Sequence, residues 1–399
     1  MRHAHISGLV PAATAAATAA LLGLTILAAP AGAQLPDRDL RATPTIPLTG
    51  TVTVEQLGQD SVLATVATYR SGAPEAPLDA QALEVITPGG ARHMVWSTVV
   101  RATRRGERTG YFRLNDWRPE LHTALLRFTH ARSGDTLVSY DVVTGEQREV
   151  PAPLRAATVA LSPDGSGVLF TTYPRPRSSG RVGILGWDGA TTWLPARGTG
   201  EAITSTDGRT LVTVDRERWW VTDLLARTST SVATRGYCAP RRWVDADSVV
   251  ASCSKGRGSQ LRRVDLAGTS GPLGVRHTMR PARTGPPIMS DDDVRTVQGR
   301  AYYESYGGCG GAVLTRRTAA GAVRIVRVPG DRGALSLVGS RGDDLLIAHI
   351  DDDCGSPGAR SVLSLFDPVS RDETHLTVLR RTQSWDEVVA AAEVRAWIW

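Results

Sequence analysis

Lysine is nearly absent from this chain. Lys255 stands alone among 46 basic residues in a sequence of 399; all the others are arginine. Such a ratio reads as the coding bias of a GC-rich genome rather than as selection for phosphate binding. The formal charge is small for the length, +6 against 40 acidic side chains, and a nucleic-acid partner is not expected. Cysteine is scarce as well, with four residues, and a chain this long can bury a core without them. Beyond residue 33 no stretch approaches 18 uninterrupted apolar residues, so no transmembrane helix is expected in the mature chain.

Local catalytic signatures are missing too. The sequence holds no GxSxG elbow, HExxH, Walker loop or dinucleotide fingerprint. It also lacks CxxC, and His349 is isolated near the cysteines, so a zinc site has no ligand set. Gly307–Gly311 is glycine-dense but has no phosphate-loop lysine, and reads as a tight turn around Cys309. Asp291–Asp293 and Asp351–Asp353 are acidic triplets read as solvated turn faces. Calcium is the single cofactor they leave open, weakly, since adjacent strand residues cannot all face one ion.

What is present begins with a leader. An uncharged run from Ile6 to Ala33 ends in Ala31-Gly32-Ala33, which sets small residues at the −3 and −1 positions of a signal-peptide cleavage site. Residues 1–33 are therefore expected to be removed, leaving a secreted or cell-wall-associated product; an uncleaved anchor is the alternative. Residues 34–50, with three prolines and no periodicity, read as a linker. From 51 to 399 a single domain is expected.

That domain reads as all-β. Short runs such as Val62–Tyr69, Ala124–Phe128, Val168–Thr172, Thr210–Val214 and Leu345–Ile350 are rich in apolar and β-branched residues. Turn pairs such as Asp164-Gly165, Asp188-Gly189 and Asp207-Gly208 join many of them. Two segments, Leu121–Leu126 and Trp385–Val394, are ambiguous between strand and helix, and the second could form a short terminal helix. Self-similarity sets the architecture. Ala157–Phe170 is answered by Glu201–Val214, with the Asp-Gly pairs 43 positions apart, and again in outline by Arg241–Ser252. Looser echoes fall at Asp291–Tyr302 and Leu335–Ile347, and Pro119–Phe128 and Leu57–Thr68 read as second strands of earlier units. Four short strands per period of about 40 to 50 residues is the signature of a β-propeller. Seven blades are expected, with six and eight as the neighbouring counts.

The run Ser162-Pro163-Asp164-Gly165, echoed by Ser205-Thr206-Asp207-Gly208, resembles the blade motif of TolB-type and related WD-like propellers. The chain as a whole is similar to secreted TolB-like propeller proteins of high-GC Gram-positive bacteria. The resemblance implies a closed ring whose last blade borrows a strand from the N-terminal segment, for which residues 51–56 are available. The protein-translocation role of the Tol system belongs to an outer-membrane envelope and is not implied.

The four cysteines suggest two staples. Cys238 and Cys253 fall opposite each other on a hairpin centred on Asp245-Ala246. Cys309 and Cys354 are about one blade period apart and would join neighbouring blades. Arginine clusters at Arg101–Arg108, Arg241-Arg242, Arg262-Arg263, Arg316-Arg317 and Arg380-Arg381 recur partly with the repeat. Most have an acidic residue close by and read by default as solvated faces, the alternative being that they dot one rim and meet anionic glycopolymer or carboxylate groups. Trp187, Trp193, Trp219, Trp220 and Trp243 read as packing between blades, whereas Trp117 reads as an exposed loop residue able to anchor a partner.

Two functions fit these features. The first is a secreted, non-enzymatic, monomeric propeller that binds a protein or a cell-wall polymer. The alternative is an extracellular carbohydrate hydrolase or lyase whose carboxylates gather around the channel from different blades. Close-set Asp, Glu or His at a channel mouth would favour the second.

Overall fold

The computed structural model describes residues 52–58, 60–69, 78–102, 108–129, 134–173, 180–198, 200–205, 207–255, 258–278, 288–307, 312–331, 335–350, 361–379 and 383–390. All belong to the compact unit Pro44–Trp399. The leader, the linker, Cys309, Cys354, Asp351–Asp353 and Arg380-Arg381 lie outside them.

Among the described residues the chain forms seven antiparallel sheets of four principal strands, arranged as the blades of a propeller, and one additional two-stranded hairpin. From innermost to outermost strand, blade 2 runs Phe112–Arg118, Thr123–Phe128, Thr136–Asp141, Gln147–Pro151. Blade 3 is Ala156–Leu161, Gly167–Thr172, Gly180–Gly186, Thr191–Gly198, and blade 4 is Ala202–Thr204, Thr210–Asp215, Arg218–Asp223, Thr228–Ala233. Blade 5 is Tyr237–Asp245, Ser248–Lys255, Gly258–Asp265, Ser270–Pro272, with His277–Thr278 also paired to its third strand. Blade 6 is Ile288–Val297, Arg300–Gly307, Ala312–Arg317, Val323–Ile325, and blade 7 is Leu335–Arg341, Asp344–Ile350, Ser361–Phe366, Glu373–Val378.

Blade 1 closes the ring, and it does so in the opposite sense to the one expected. Its outer three strands are Val62–Tyr69, Leu78–Ile86 and Arg92–Val99, and its innermost strand is the C-terminal segment Gln383–Ala390. The N-terminal residues Val54–Gln56 form a 3₁₀ turn instead of a strand, with the Thr53 N–H donating to Gln56 Oε1 at 2.9 Å. The segment from Trp385, ambiguous between helix and strand in the sequence, is thus a strand over its described part. Val388 faces the blade 7/1 core and Val389 the blade 1/2 core, so both sides of this segment are buried. A strand presents successive side chains to opposite faces, and here that requirement overrides the helical propensity of an alanine-rich stretch.

The same logic explains the continuous apolar runs. Each blade is covered on both faces, so its middle strands alternate between two neighbours rather than between core and water. Leu126 packs towards blade 1 and Leu125 towards blade 3. Each adjacent blade pair has its own apolar core, centred for example on Trp96, Phe112 and Tyr140 between blades 1 and 2 and on Tyr302, Leu345 and Phe366 between blades 6 and 7. Among the described residues no helix is long and apolar enough to cross a membrane.

Candidate functional site

The innermost strands share a device. In blades 1, 2, 5, 6 and 7 the pairing with the second strand slips by one residue, leaving Asp386, Asn115, Arg241, Asp292 and Val338 as bulges. A bulge bends its strand and re-aims the side chains beside it. Around these points polar side chains bridge blades. Glu387 accepts from the Leu114 N–H, Asp116 from the Leu161 N–H at 2.9 Å, and Glu304 from the Leu337 N–H at 2.7 Å. Leu114 and Leu337 immediately precede bulges, so a neighbouring blade satisfies the backbone donor that the distorted strand offers.

Carboxylates and arginines alternate here. Asp292 pairs with Arg241 at 2.6 Å, and Asp293 with Arg242 at 3.1 Å and Arg295 at 2.8 Å. Asp291 accepts from Arg317 at 2.5 Å and Ser305 at 2.6 Å, and His277 Nε2 stands 2.9 Å from it. Burial pushes the Asp291 carboxyl up, but His277 and Arg317 outweigh it and hold the group below its ordinary range. The triplet 291–293 is therefore no solvated turn face. It lies in a central strand, where each carboxylate meets a cation. Arg118 pairs with Asp116 and reaches past blade 3 to Thr204 of blade 4 at 2.8 Å. Beside Asp386, Glu387 is pushed up to about 8, chiefly by burial and further by the Asp386 charge. It is 7% exposed and already bonded to the backbone, so this proton-holding carboxyl is enclosed rather than offered to a substrate.

The other residues singled out by sequence take these places. Ser162 and Ser205 open matching turns between innermost and second strands. Ser162 Oγ donates to Asp164 Oδ1 at 2.7 Å and accepts from the Gly167 N–H at 2.9 Å; Ser205, Asp207 and Thr210 repeat this pattern. Gly165 and Gly208 both stand at φ 68, the left-handed region these turns require. Cys238 and Cys253 are cross-strand partners and form a disulfide. Trp117 is not an exposed anchor. It is 2% exposed, packed in the blade 1/2 core, because it sits in the innermost strand of blade 2 and not in a loop. The arginine clusters do not share one rim either: Arg241, Arg242 and Arg317 are internal ion-pair partners.

A cleft of about 1390 Å³ opens between blades 3 and 4. It lies at the end of the blades that carries the connections from second to third strand, opposite the Asp-Gly turns at 164–165 and 207–208. Arg155, Arg181, Arg197, Arg216 and Arg218 line it, with Asp215 and Glu217, and so do Tyr173, Trp193 and Trp220. Tyr173 is 52% and Trp193 41% exposed. The Arg181 guanidinium stacks 3.6 Å from the Trp193 ring centre, and Phe170 meets the same indole edge-on at 5.3 Å. Gly183 faces Trp193 in register, and a Cβ there would come within 3.0 Å of the indole. The Trp220 Nε1–H has no hydrogen-bond partner among the described residues.

Sequence reading missed this cleft. Its arginines are strung singly over residues 155–218, and Trp193 and Trp220 pass for packing residues. One trace was available: in Thr191–Gly198 the alternation buries Leu194 and Ala196 and turns Trp193, Pro195 and Arg197 outward together.

No protein-family model and no curated protein matches the chain. Among solved structures it is similar to a prolyl endopeptidase, with 15% identity, 84% of this chain and 52% of that one covered, and a TM-score of 0.48. It is also similar to TolB from Acinetobacter baumannii, with 12% identity, coverage of 82% and 66%, and a TM-score of 0.41. For dipeptidyl peptidase 4 of Porphyromonas gingivalis the identity is 9%, the coverage 76% and 48%, and the TM-score 0.41. The chain spans about half the length of the prolyl endopeptidase it matches. These likenesses concern fold, and no activity is carried over from them.

Proposed function

We propose that this protein is an exported, non-enzymatic propeller that binds a component of the cell envelope in the cleft between blades 3 and 4. The observation that carries this reading is the pairing of exposed aromatic faces with arginines that make no ion pair among the described residues: Tyr173 and Trp193 beside Arg181, Arg197, Arg216 and Arg218. Large aromatic surfaces are ordinarily buried, and guanidinium groups beside carboxylates ordinarily pair with them; a surface that leaves both open is built for a ligand. The leader-like residues 1–33 agree with a partner outside the cytoplasm.

The hydrolytic alternative draws its support from the carboxylates of the innermost strands. Those with described partners are bonded to arginine or to a neighbouring blade's backbone, which suits a role in joining blades. Co-sedimentation of residues 34–399 with a purified envelope fraction tests the binding reading. Binding is expected, and Trp193→Ala should weaken it about tenfold while leaving the thermal midpoint of the ring within a few degrees. Failure of the unaltered protein to sediment, or equal retention of the variant, would count against it.

A further inference from the structure

We infer that the cleft between blades 3 and 4 takes an anionic sugar polymer, gripped by a pair of arginines that the fold sets against each other. This rests on the binding reading above and names its ligand class. Arg181 of the third strand and Arg197 of the outermost strand of blade 3 are direct partners in register. Like charges directly opposite on neighbouring strands destabilise a sheet, and such a position ordinarily carries an opposite charge. Neither arginine makes an ion pair among the described residues. Arg181 is instead laid over Trp193, and that ring is itself wedged against Phe170 with Gly183 beneath it. The positive pair is thus held in the cleft wall, where a bound anion would relieve the repulsion.

The second wall adds charge of the same sign. Asp215 and Arg218 close a two-residue turn in blade 4, and Arg216 within it adopts φ 57. Arg155, at φ 67, enters from the connection between blades 2 and 3. Five arginines therefore face two carboxylates, Asp215 and Glu217. Guanidinium forks match carboxylate and phosphate oxygens in bidentate geometry. The aromatic faces of Tyr173 and Trp193 suit the C–H face of a pyranose ring.

Size and edge chemistry narrow the class. Pockets for single small molecules run about 300–1,000 Å³, and this cleft is larger and open, which suits several linked sugar units. An acidic peptide would gain most by adding a strand to the outer edge of blade 3. That edge carries Pro195, which has no N–H to offer such a strand. Nucleic acid shares the anionic and stacking character, but an exported chain does not ordinarily meet it.

Calorimetric titration at low salt, with five probes of matched length, tests the assignment. These are polygalacturonate, a poly(hexose phosphate), neutral dextran, poly-glutamate and oligo-dT. At least one of the two anionic sugar polymers should bind, the carboxylate and phosphate arms identifying which anion is preferred. Affinity should fall at least tenfold between 50 and 200 mM salt. The double variant Arg181→Gln/Arg197→Gln should bind 10- to 100-fold more weakly while its thermal midpoint without polymer equals or exceeds that of the parent, because the like-charge contact is gone. Equal affinity for dextran, tighter binding of poly-glutamate or oligo-dT, or undiminished binding by the variant would overturn it. If the envelope fraction still sediments the protein but neither anionic sugar polymer binds, the ligand class falls alone; if the envelope fraction is not bound, the functional reading falls with it.

Discussion

Glu387 illustrates how a single residue is recruited to hold blades together at an electrostatic cost. Its carboxyl accepts from the Leu114 N–H of the next blade, yet burial raises it to about 8. In the unfolded chain it ionises in the ordinary range near 4.5. Below that value both states are protonated and the shift has no effect. Between about 4.5 and 8 the unfolded state loses its proton first, so the native state binds more protons and stability falls as pH rises; above about 8 the loss is complete. Glu387→Gln keeps an acceptor for Leu114 and removes the titration. The variant should gain on the parent by up to about 1.4 kcal/mol per pH unit across that window. Urea unfolding at pH 5 and pH 8 checks this, and parallel pH dependences for the two proteins would refute it. Asp291 behaves in the opposite sense, since its depressed carboxyl contributes stability that disappears as pH falls through its folded value.

At the scale of the element, the hairpin of blade 5 shows how bulges adjust register. A regular hairpin centred on Asp245-Ala246 would pair Cys238 with Cys253. The turn actually lies at Ala246-Asp247, and two bulges, at Arg241 and Val244, restore the same pairing at the cysteines. The bulges also serve the ring, since Arg241 and the following Arg242 both reach carboxylates of blade 6. The disulfide closes a loop with a sequence separation of 15, and loop-closure entropy assigns it about 3 kcal/mol. Cys238→Ser/Cys253→Ser should lose about that much in urea unfolding while keeping its far-UV circular dichroism. A loss under about 0.5 kcal/mol would mean that the blade interfaces alone hold this hairpin.

At the scale of the molecule, closure rests on Gln383–Ala390. This strand pairs with Val62–Tyr69 and contributes Val388 and Val389 to the two cores beside it. Removing residues 383–399 would expose the edge of Val62–Tyr69 and open both cores, so cooperative unfolding should be lost. Differential scanning calorimetry checks this: a single sharp transition near that of the full chain would show that closure is dispensable. The repeat was legible in the sequence because each blade must bury two faces, and that demand imprints apolar runs and turns such as Ser162–Gly165 and Ser205–Gly208 at a regular period. The disulfide was legible because antiparallel partners sit at fixed offsets along the chain. The exposure of Trp193, the burial of Trp117, the pairing of the 291–293 triplet and the direction of closure were not, since each depends on which blade lies alongside. Local pattern determined a propeller and its period. The cleft was decided only in three dimensions, where Arg155, Arg181, Arg197, Arg216 and Arg218, isolated along the chain, are brought to the walls of one space by the packing of blade 3 on blade 4.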